Sequence, residues 1–332
     1  VSRDPRWGRI VESCGEDPYL TSVMGTAMIN GFQGDNLNNP TSMAACAKHF
    51  VGYGASESGK DYSTTWLPEE LLRDVYFPPF EAAVKANVAS FMCAFNDING
   101  TPCSGNKHLN VDILRKEWRY DGLLGSDWGS IEQMINHGVC KDVKATAEKA
   151  INAGVDMDMM GNSYISSLEE LVNTGIVPEA LVDESVRNIL RLKFRLGLFE
   201  NPYTKVQENK PFYTEDALKK AKQTAIESVI LLKNDKNILP LSTNIKSLAI
   251  IGPLSDSPTD QNGTWCFDGE PERTITPLAA IKESFGNKIK IIAEKGLTYS
   301  RDKNKEGIAK AVAAAKKSDI ILLFLGEEAI IT

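Results

Sequence analysis

The stretch Tyr120-Asp-Gly-Leu-Leu-Gly-Ser-Asp-Trp-Gly129 is a short apolar run that ends in a carboxylate, Asp127, between small residues. We interpret it as a strand that delivers an acid to an open edge of a sheet. Gly125 and Gly129 allow a tight turn and the close approach of a ligand, and Trp128 offers a flat apolar face for a ring. Taken alone, the stretch fits equally well an Asp that caps the helix predicted after it, so the rest of the chain must decide.

Short apolar runs alternate with amphipathic stretches on both sides of this segment. Strands are predicted near residues 43–50, 89–95, 122–126 and 155–159. Helices are predicted near residues 69–86, 111–118, 130–137, 144–153, 165–174 and 178–196. Strand, helix and strand recurring at intervals of roughly 30 to 45 residues are typical of parallel βαβ units.

Polar side chains stand at the end of each predicted strand. They are Lys48 and His49, Asn96 and Asp97, Ser126 and Asp127, and Asp158. A (β/α)8 barrel presents functional groups at the carboxyl ends of successive strands, whereas a doubly wound sheet does so mainly at its switch point. The pattern therefore favours a barrel.

The pattern changes after Phe199, where a polar stretch begins. A helix is then predicted near 215–228, strands at 248–252, 288–293 and 319–325, and helices at 276–285 and 304–317. These elements predict a second parallel α/β layer. We divide the chain into a barrel domain at 1–200, a linker at 201–214 and an α/β domain at 215–332. The chain opens without an initiator Met, so we expect a fragment in which both domains are incomplete.

Composition excludes several classes of protein. The 332 residues carry a formal net charge of -7 and are 42% hydrophobic, with no apolar run long enough to span a bilayer. We expect neither a nucleic-acid nor a membrane partner. Three scattered histidines and the absence of a C-x-x-C pair give a metal or another cofactor no support, so we predict none.

Two motifs resemble known sites but fail on inspection. Gly54-Ala-Ser-Glu-Ser-Gly-Lys-Asp61 follows a phosphate-binding loop until its last position, where an Asp replaces the hydroxyl residue that would meet magnesium. We therefore reject an ATPase. Gly125-Ser-Asp-Trp-Gly129 has the spacing of a nucleophile elbow, with Asp in the place of Ser. An elbow also needs a histidine late in the chain, and the only downstream one is His137, so an α/β-hydrolase is disfavoured unless a segment after Thr332 supplies the histidine.

Two basic groups are candidates for ligand binding. Arg3-Asp-Pro-Arg-Trp-Gly-Arg9 concentrates three guanidinium groups beside acidic residues, which indicates either a surface salt-bridge loop or an Arg that grips a hydroxyl-rich ligand. Lys48 and His49 end an apolar strand. Neighbours on a regular strand point to opposite faces, so both serve one ligand only where the backbone leaves the pleat.

Several ordered segments together carry a family resemblance. They are Ser2–Arg9, Gly15–Leu20, Ala47–Phe50, Phe91–Pro102, Gly125–Trp128, Glu227–Asn234 and Leu239–Leu241. In this order they resemble glycoside hydrolase family 3, most closely its bacterial periplasmic β-glucosidase branch. The resemblance implies an incomplete (β/α)8 barrel followed by a partial α/β sandwich.

The resemblance also implies roles for individual residues. The family's nucleophile falls on Asp127, and its sugar-binding Arg, Lys and His fall on Arg9, Lys48 and His49. Trp128 matches an aromatic wall of the sugar site, and Met92 lies in its lining. The family often has Tyr where Phe95 stands, so any help to the nucleophile from that hydroxyl is absent here. The acid/base Glu is expected after Thr332, and neither Glu327 nor Glu328 is assigned to this role.

The expected function is that of a retaining, exo-acting β-glucosidase that forms a covalent glycosyl–Asp127 intermediate. Its partners would be β-linked glucosides or short oligosaccharides, and a periplasmic or secreted location is favoured. A β-xylosidase of the same family and a sugar-binding relative without turnover remain alternatives. The resemblance further implies that Lys48 and His49 face one sugar. The backbone there must then be irregular, and a non-proline cis bond costing roughly 3 to 4 kcal/mol is one solution. We expect residues 1–332 alone to hydrolyse β-glucosides poorly.

Overall fold

The computed structural model describes residues 1–203, 213–242 and 244–329. The chain forms two compact units, Val1–Val206 and Gln207–Thr332. Most of the linker predicted at 201–214 lies outside the described residues, so the domain limits stay a prediction. Among the described residues, no helix combines the length and the apolar character that crossing a bilayer requires.

A parallel sheet organises the first unit. Its strands are β1 (Cys46–Phe50), β2 (Ser90–Cys93) and β5 (Leu123–Gly125), in the order β1-β2-β5. A short antiparallel hairpin, β3 (Asp97–Ile98) and β4 (Thr101–Pro102), follows β2. Each parallel strand lies beside the next one in the chain, without a switch point, as in a barrel. The carboxyl ends of all three strands therefore meet at one edge.

The prediction of a regular strand at 155–159 is wrong. Residues Asp156 and Met157 run alongside β5 through two backbone bonds, Asp156 N to Leu124 O at 2.8 Å and Ser126 N to Met157 O at 2.9 Å. Only one residue pair, Gly125 with Met157, meets the pairing pattern of a parallel bridge. The segment nevertheless continues the sheet past β5 and places its own end at the same edge.

Helices pack around this sheet. They are α1 (Pro18–Gln33), α2 (Pro78–Lys85), α3 (His108–Glu117), α4 (Val143–Asn152), α5 (Ser163–Asn173) and α6 (Glu179–Arg195). Of these, α3 has π-helical hydrogen bonding over its whole length. Sequence analysis did not predict α1, although Asp17 caps it by accepting from Tyr19 N and Leu20 N, and Pro18 opens it. At 130–137 only a short 3-10 turn, Glu132–Met134, forms instead of a helix.

The helix predicted at 69–86 is interrupted. A first turn at Glu69–Leu71 passes into a π-helical turn at Leu72–Tyr76 before α2 begins at Pro78. The amide of Phe77 donates to Leu72 O, five residues back, at 2.7 Å. Since Pro78 and Pro79 have no amide hydrogen, the regular ladder cannot continue across this point.

Aromatic rings fill the core under β1 and β2. Phe50 is fully buried and contacts four rings at centroid distances of 5.2–6.4 Å, those of Phe77, Phe80, Phe91 and Trp118. Burying one such side chain contributes about 1.5–3 kcal/mol. The core therefore anchors β1, the strand that carries Lys48 and His49.

The second unit is a smaller α/β layer. The three strands β6 (Ser247–Ile251), β7 (Lys290–Glu294) and β8 (Ile320–Leu323) are parallel, in the order β7-β6-β8. Its helices are α7 (Glu215–Ser228), α8 (Pro258–Gln261), α9 (Pro277–Phe285) and α10 (Glu306–Ala315). All the strands and helices predicted here are confirmed, with ends shifted by a few residues.

A buried carboxylate joins three parts of the first unit. Asp156 Oδ2 accepts from Arg115 Nη2 at 2.7 Å and from Leu124 N at 2.8 Å, and Oδ1 accepts from Asn188 Nδ2 at 2.9 Å. Burial raises the pKa of Asp156, and these donors oppose the rise. Asp156 thus links α3, β5 and α6 through one side chain.

Replacing Asp156 with Ala should lower the free energy of unfolding by about 3–5 kcal/mol, because it leaves the largely buried Arg115 without its carboxylate. Urea unfolding followed by circular dichroism measures this change. The control is Asp121→Ala, which removes an exposed pair with Arg195 at 2.7 Å. Its expected cost is at most about 1 kcal/mol. Equal costs for the two variants would contradict the role assigned to Asp156.

Candidate active site

Asp127 lies two residues past the end of β5, with only 7% of its surface exposed. Its Oδ1 accepts from the Trp128 amide at 2.7 Å. Its Oδ2 is buried and has no hydrogen-bond partner among the described residues. The side chain does not cap a helix, because the following 3-10 turn begins only at Glu132. One carboxylate oxygen is therefore left for a ligand.

Buried serine hydroxyls hold the backbone turn that contains Asp127. Ser130 Oγ accepts from Asp127 N at 3.1 Å and lies 2.7 Å from Ser104 Oγ. Ser126 Oγ donates to Asp127 O at 2.9 Å and accepts from Met159 N at 2.8 Å. Because Ser104, Ser126 and Ser130 are all buried, these bonds hold the Asp127 side chain in place without using its carboxylate oxygens.

The backbone of β1 is irregular where Lys48 and His49 stand, which confirms the predicted departure from the pleat. Ala47 pairs with Phe91, and Phe50 pairs with Cys93. The pairing thus moves three positions along β1 but only two along β2, so β1 contains an irregularity at this point. The Lys48–His49 and Phe50–Val51 peptide bonds are cis. The charge of Lys48 acts on both His49 and Asp127, although its side chain is exposed at the edge of the sheet.

His49 is neutral at ordinary pH. Burial and the charges of Lys48 and Arg9 lower its pKa to about 2. Its Nε2 lies 3.2 Å from Arg9 Nη2 and 3.3 Å from Asp127 Oδ2. A guanidinium only donates, so Nε2 accepts from Arg9 and the ring proton sits on Nδ1. The contact with Asp127 is then neither an ion pair nor a hydrogen bond, which agrees with the open Oδ2.

Arg9 is buried, so it does not belong to a surface salt-bridge loop. Its Nε and Nη2 donate to the two oxygens of Glu12 at 2.6 and 2.8 Å. The guanidinium also lies over the Tyr53 ring, 5.2 Å from its centroid. Sequence analysis did not assign a role to Glu12, although its position three residues after Arg9 is a usable signal. The bidentate pair orients Arg9 toward His49.

Burial raises the pKa of Asp127 above its usual range. The Trp128 amide hydrogen bond and the charges of Lys48 and Arg9 act in the opposite direction. Since Lys48 and Arg9 carry the nearby positive charge, they favour the ionised carboxylate that a nucleophile needs.

The other predicted site residues border this cluster. Trp128 is 59% exposed and follows Asp127 directly. Met92 is half-buried on β2, in register with Gly125. Phe95 is buried and contacts Tyr62 and Tyr53 through ring centroids 4.8 and 5.8 Å apart.

A cavity of about 330 Å³ lies beside the Lys48–His49 end of β1. Asp127 does not line it, and much of its wall consists of apolar side chains of α1 and α2, such as Ile29 and Phe80. The cluster around Asp127, and not this cavity, therefore defines the chemistry. Within the described ranges, no group of three His, Cys, Asp or Glu side chains is arranged to hold a metal ion.

Glu328 of the second unit is engaged elsewhere. Its two oxygens accept from the amide and the hydroxyl of Ser300. These bonds lower the pKa of Glu328. A general acid needs a raised pKa, so this carboxylate is unsuited to protonating a leaving group.

Asp127→Asn should stabilise the protein by about 1–3 kcal/mol at pH 7, because it removes the charge from a buried, incompletely bonded group. The folded-state pKa of Asp127 lies above the ordinary value of 3.8. The charged carboxylate therefore destabilises the wild-type protein to its full extent at pH values above that folded-state pKa. The gain should disappear as the pH falls below 3.8, where both states bind the proton. Thermal unfolding between pH 3 and 7 measures it.

The control for this prediction is Asp112→Asn. Hydrogen bonding to Lys116 lowers the pKa of this exposed carboxylate, so its removal should give no stabilisation at any pH. A stabilisation by Asp127→Asn that persisted unchanged at pH 3 would contradict the electrostatic explanation.

Both parts of the chain match domains of one protein family. Residues 1–192 match the glycosyl hydrolase family 3 N terminal domain, and residues 229–331 match the C-terminal domain of that family. A periplasmic β-glucosidase of Salmonella typhimurium is 38% identical over 98% of this chain and 46% of its own length. A putative β-xylosidase of Formosa agariphila is 37% identical over 98% of this chain and 42% of its own length.

Solved structures give the same result. The β-glucosidase of Listeria innocua, in complex with isofagomine, superposes with a TM-score of 0.90 at 39% identity, covering 99% of this chain and 46% of that one. The chain thus spans just under half the length of these relatives. The predicted fold class, part of a (β/α)8 barrel followed by part of an α/β sandwich, is confirmed. The chain belongs to glycosyl hydrolase family 3.

Proposed function

We propose that the protein is a retaining, exo-acting β-glucosidase in which Asp127 is the nucleophile. The observation that carries the proposal is the buried Asp127 carboxylate at the carboxyl edge of a parallel sheet, one oxygen of which receives no hydrogen bond from the part of the chain that the structure describes. His49 lies beside this carboxylate and Arg9 contacts His49, and both side chains carry groups of the kind that bind sugar hydroxyls.

A retaining glycosidase needs two carboxyl groups about 5–5.5 Å apart, one to attack the anomeric carbon and one to protonate the departing oxygen. In our proposal Asp127 Oδ2 forms the bond to the anomeric carbon as the bond to the leaving oxygen breaks. Water then hydrolyses the glycosyl–Asp127 ester and retains the β configuration. We assign the acid/base to no residue among those that the structure describes.

The neighbouring side chains have separate tasks in this proposal. Lys48 and Arg9 keep Asp127 ionised against the effect of burial. Neutral His49 offers its Nδ1 hydrogen to a sugar hydroxyl, since its Nε2 accepts from Arg9. Trp128 supplies an exposed apolar face for the sugar ring, and Met92 is proposed to line the site.

Relatives support both a glucosidase and a xylosidase. Periplasmic and lysosomal β-glucosidases match this chain at 38% and 36% identity, and β-xylosidases match it at 37%. We favour the glucosidase because the matching solved structures include β-glucosidases bound to glucose and to laminaribiose. The periplasmic relative also supports a periplasmic or secreted location.

Incubation with a 2-deoxy-2-fluoro-β-glucoside carrying an activated leaving group should trap the sugar on Asp127. The fluorine slows both formation and hydrolysis of the ester, because both pass through an oxocarbenium-like transition state, and the activated leaving group keeps formation the faster step. Peptide mass spectrometry of the protein expressed from its complete gene locates the label. Label on any other residue would refute the assignment of the nucleophile. Sugar binding without label or turnover would indicate the non-catalytic alternative.

Asp127→Asn should reduce kcat/KM for aryl β-glucosides on the order of 10⁴- to 10⁶-fold, the scale of losing a covalent nucleophile. A control, Asp121→Asn, changes an exposed carboxylate remote in the fold from this cluster and should leave kcat/KM unchanged. Parallel assays with aryl β-xylosides decide between the two candidate activities. A kcat/KM for xyloside above that for glucoside would favour the β-xylosidase.

A further inference from the structure

Tyr62 is an exposed aromatic residue in the Asp127 region that no step of the proposed mechanism uses. Its side chain is 46% exposed, whereas the rings it contacts, Phe95 and Tyr53, are 7% and 3% exposed. The Tyr62 centroid lies 4.8 Å from that of Phe95 and 6.4 Å from that of Tyr53. Tyr62 is therefore the most exposed ring of a three-ring cluster whose members pack edge to face or tilted.

The loop that carries Tyr62 is fixed on both sides. On one side, Asp61 accepts from the Trp7 indole at 2.8 Å. On the other side, Thr64 Oγ1 donates to Asp97 Oδ2 at 2.8 Å, and Thr65 N donates to Asp97 O at 3.0 Å. An exposed side chain on so constrained a backbone is not a freely moving surface residue.

The backbone of Tyr62 itself is in the left-handed region, with φ of 62°. This conformation is uncommon and strained for a bulky residue. The conformation is maintained by the anchored neighbours, and it leaves the phenol ring half in solvent. Such local cost is typical of functional positions.

Tyr62 also lies within the electrostatic reach of the site. Burial and the charge of Asp61 raise the pKa of its hydroxyl, and the charges of Arg9 and Asp127 act on the same group. Trp128, the residue after Asp127, is the other exposed aromatic residue at this carboxylate. Two exposed rings thus accompany a carboxylate that is itself buried.

We propose that Tyr62 forms a wall at the mouth of the site and binds the leaving-group sugar of a β-linked disaccharide by stacking. The buried carboxylate receives the anomeric carbon of the terminal sugar. The leaving group of the substrate then lies nearer the solvent, where Tyr62 is exposed. Aromatic faces bind the C–H faces of sugar rings, so the ring of Tyr62, and not its hydroxyl, determines the contact.

The inference rests on the proposed function, and binding measurements separate the two. Isothermal titration with cellobiose and with glucose is carried out on the protein expressed from its complete gene, in an Asp127→Asn background that prevents turnover. Tyr62→Asn removes the ring but keeps a residue that tolerates the left-handed backbone. Tyr62→Phe keeps the ring and removes the hydroxyl.

Tyr62→Asn should weaken cellobiose binding about three- to tenfold, the scale of one aromatic contact, while glucose affinity changes by less than about twofold. Tyr62→Phe should bind both sugars like the parent. In the active protein, Tyr62→Asn should raise KM for cellobiose and leave kcat nearly unchanged. Thermal unfolding of the three proteins shows whether the fold is kept.

The inference is overturned if Tyr62→Asn binds cellobiose like the parent, or weakens glucose and cellobiose equally. If the protein binds cellobiose but shows no turnover and no labelling of Asp127, the proposed function fails and the titrations still decide the role of Tyr62. If it binds neither sugar, both the inference and the proposed function fail.

Discussion

A buried carboxylate must be compensated, and two buried carboxylates of the first unit, Asp156 and Asp127, are compensated differently. Asp156 receives hydrogen bonds on both oxygens from a guanidinium, an amide and a backbone N–H. Asp127 receives one on Oδ1, and its Oδ2 receives none among the described residues. Burial raises the pKa of both groups. The first arrangement joins elements of the fold, and the second leaves an oxygen for chemistry.

The parallel order of the strands makes this contrast possible. Because β1, β2 and β5 run in the same direction, residues that follow their carboxyl ends meet at one edge. His49 and Asp127 are 78 positions apart in the sequence but 3.3 Å apart in the fold. The apolar pattern of the strands therefore predicted which side chains would come together, before any distance was known.

Local geometry was less predictable from the sequence. The helix at 69–86 was predicted without its π-helical turn. The sequence shows that Pro78 and Pro79 cannot donate backbone hydrogen bonds, but it does not show which hydrogen-bond spacing the preceding turn adopts. Helix α1 was missed although Asp17 and Pro18 are clear start signals, because its apolar residues do not form one distinct stripe. Residues 155–159 look like a strand by composition, but they pair with β5 through only two backbone bonds.

The partners of the site residues were the hardest to predict. The family resemblance points to Arg9 and His49 as sugar contacts, but it does not show that Arg9 donates to His49 and is itself held by Glu12. This chain of contacts has an electrostatic consequence. Burial and the charges of Lys48 and Arg9 keep His49 neutral, so the positive charge near Asp127 comes from Arg9 and Lys48 and not from His49. The ionised form of the Asp127 carboxylate is thus favoured by the charges of Lys48 and Arg9, which oppose the effect of burial.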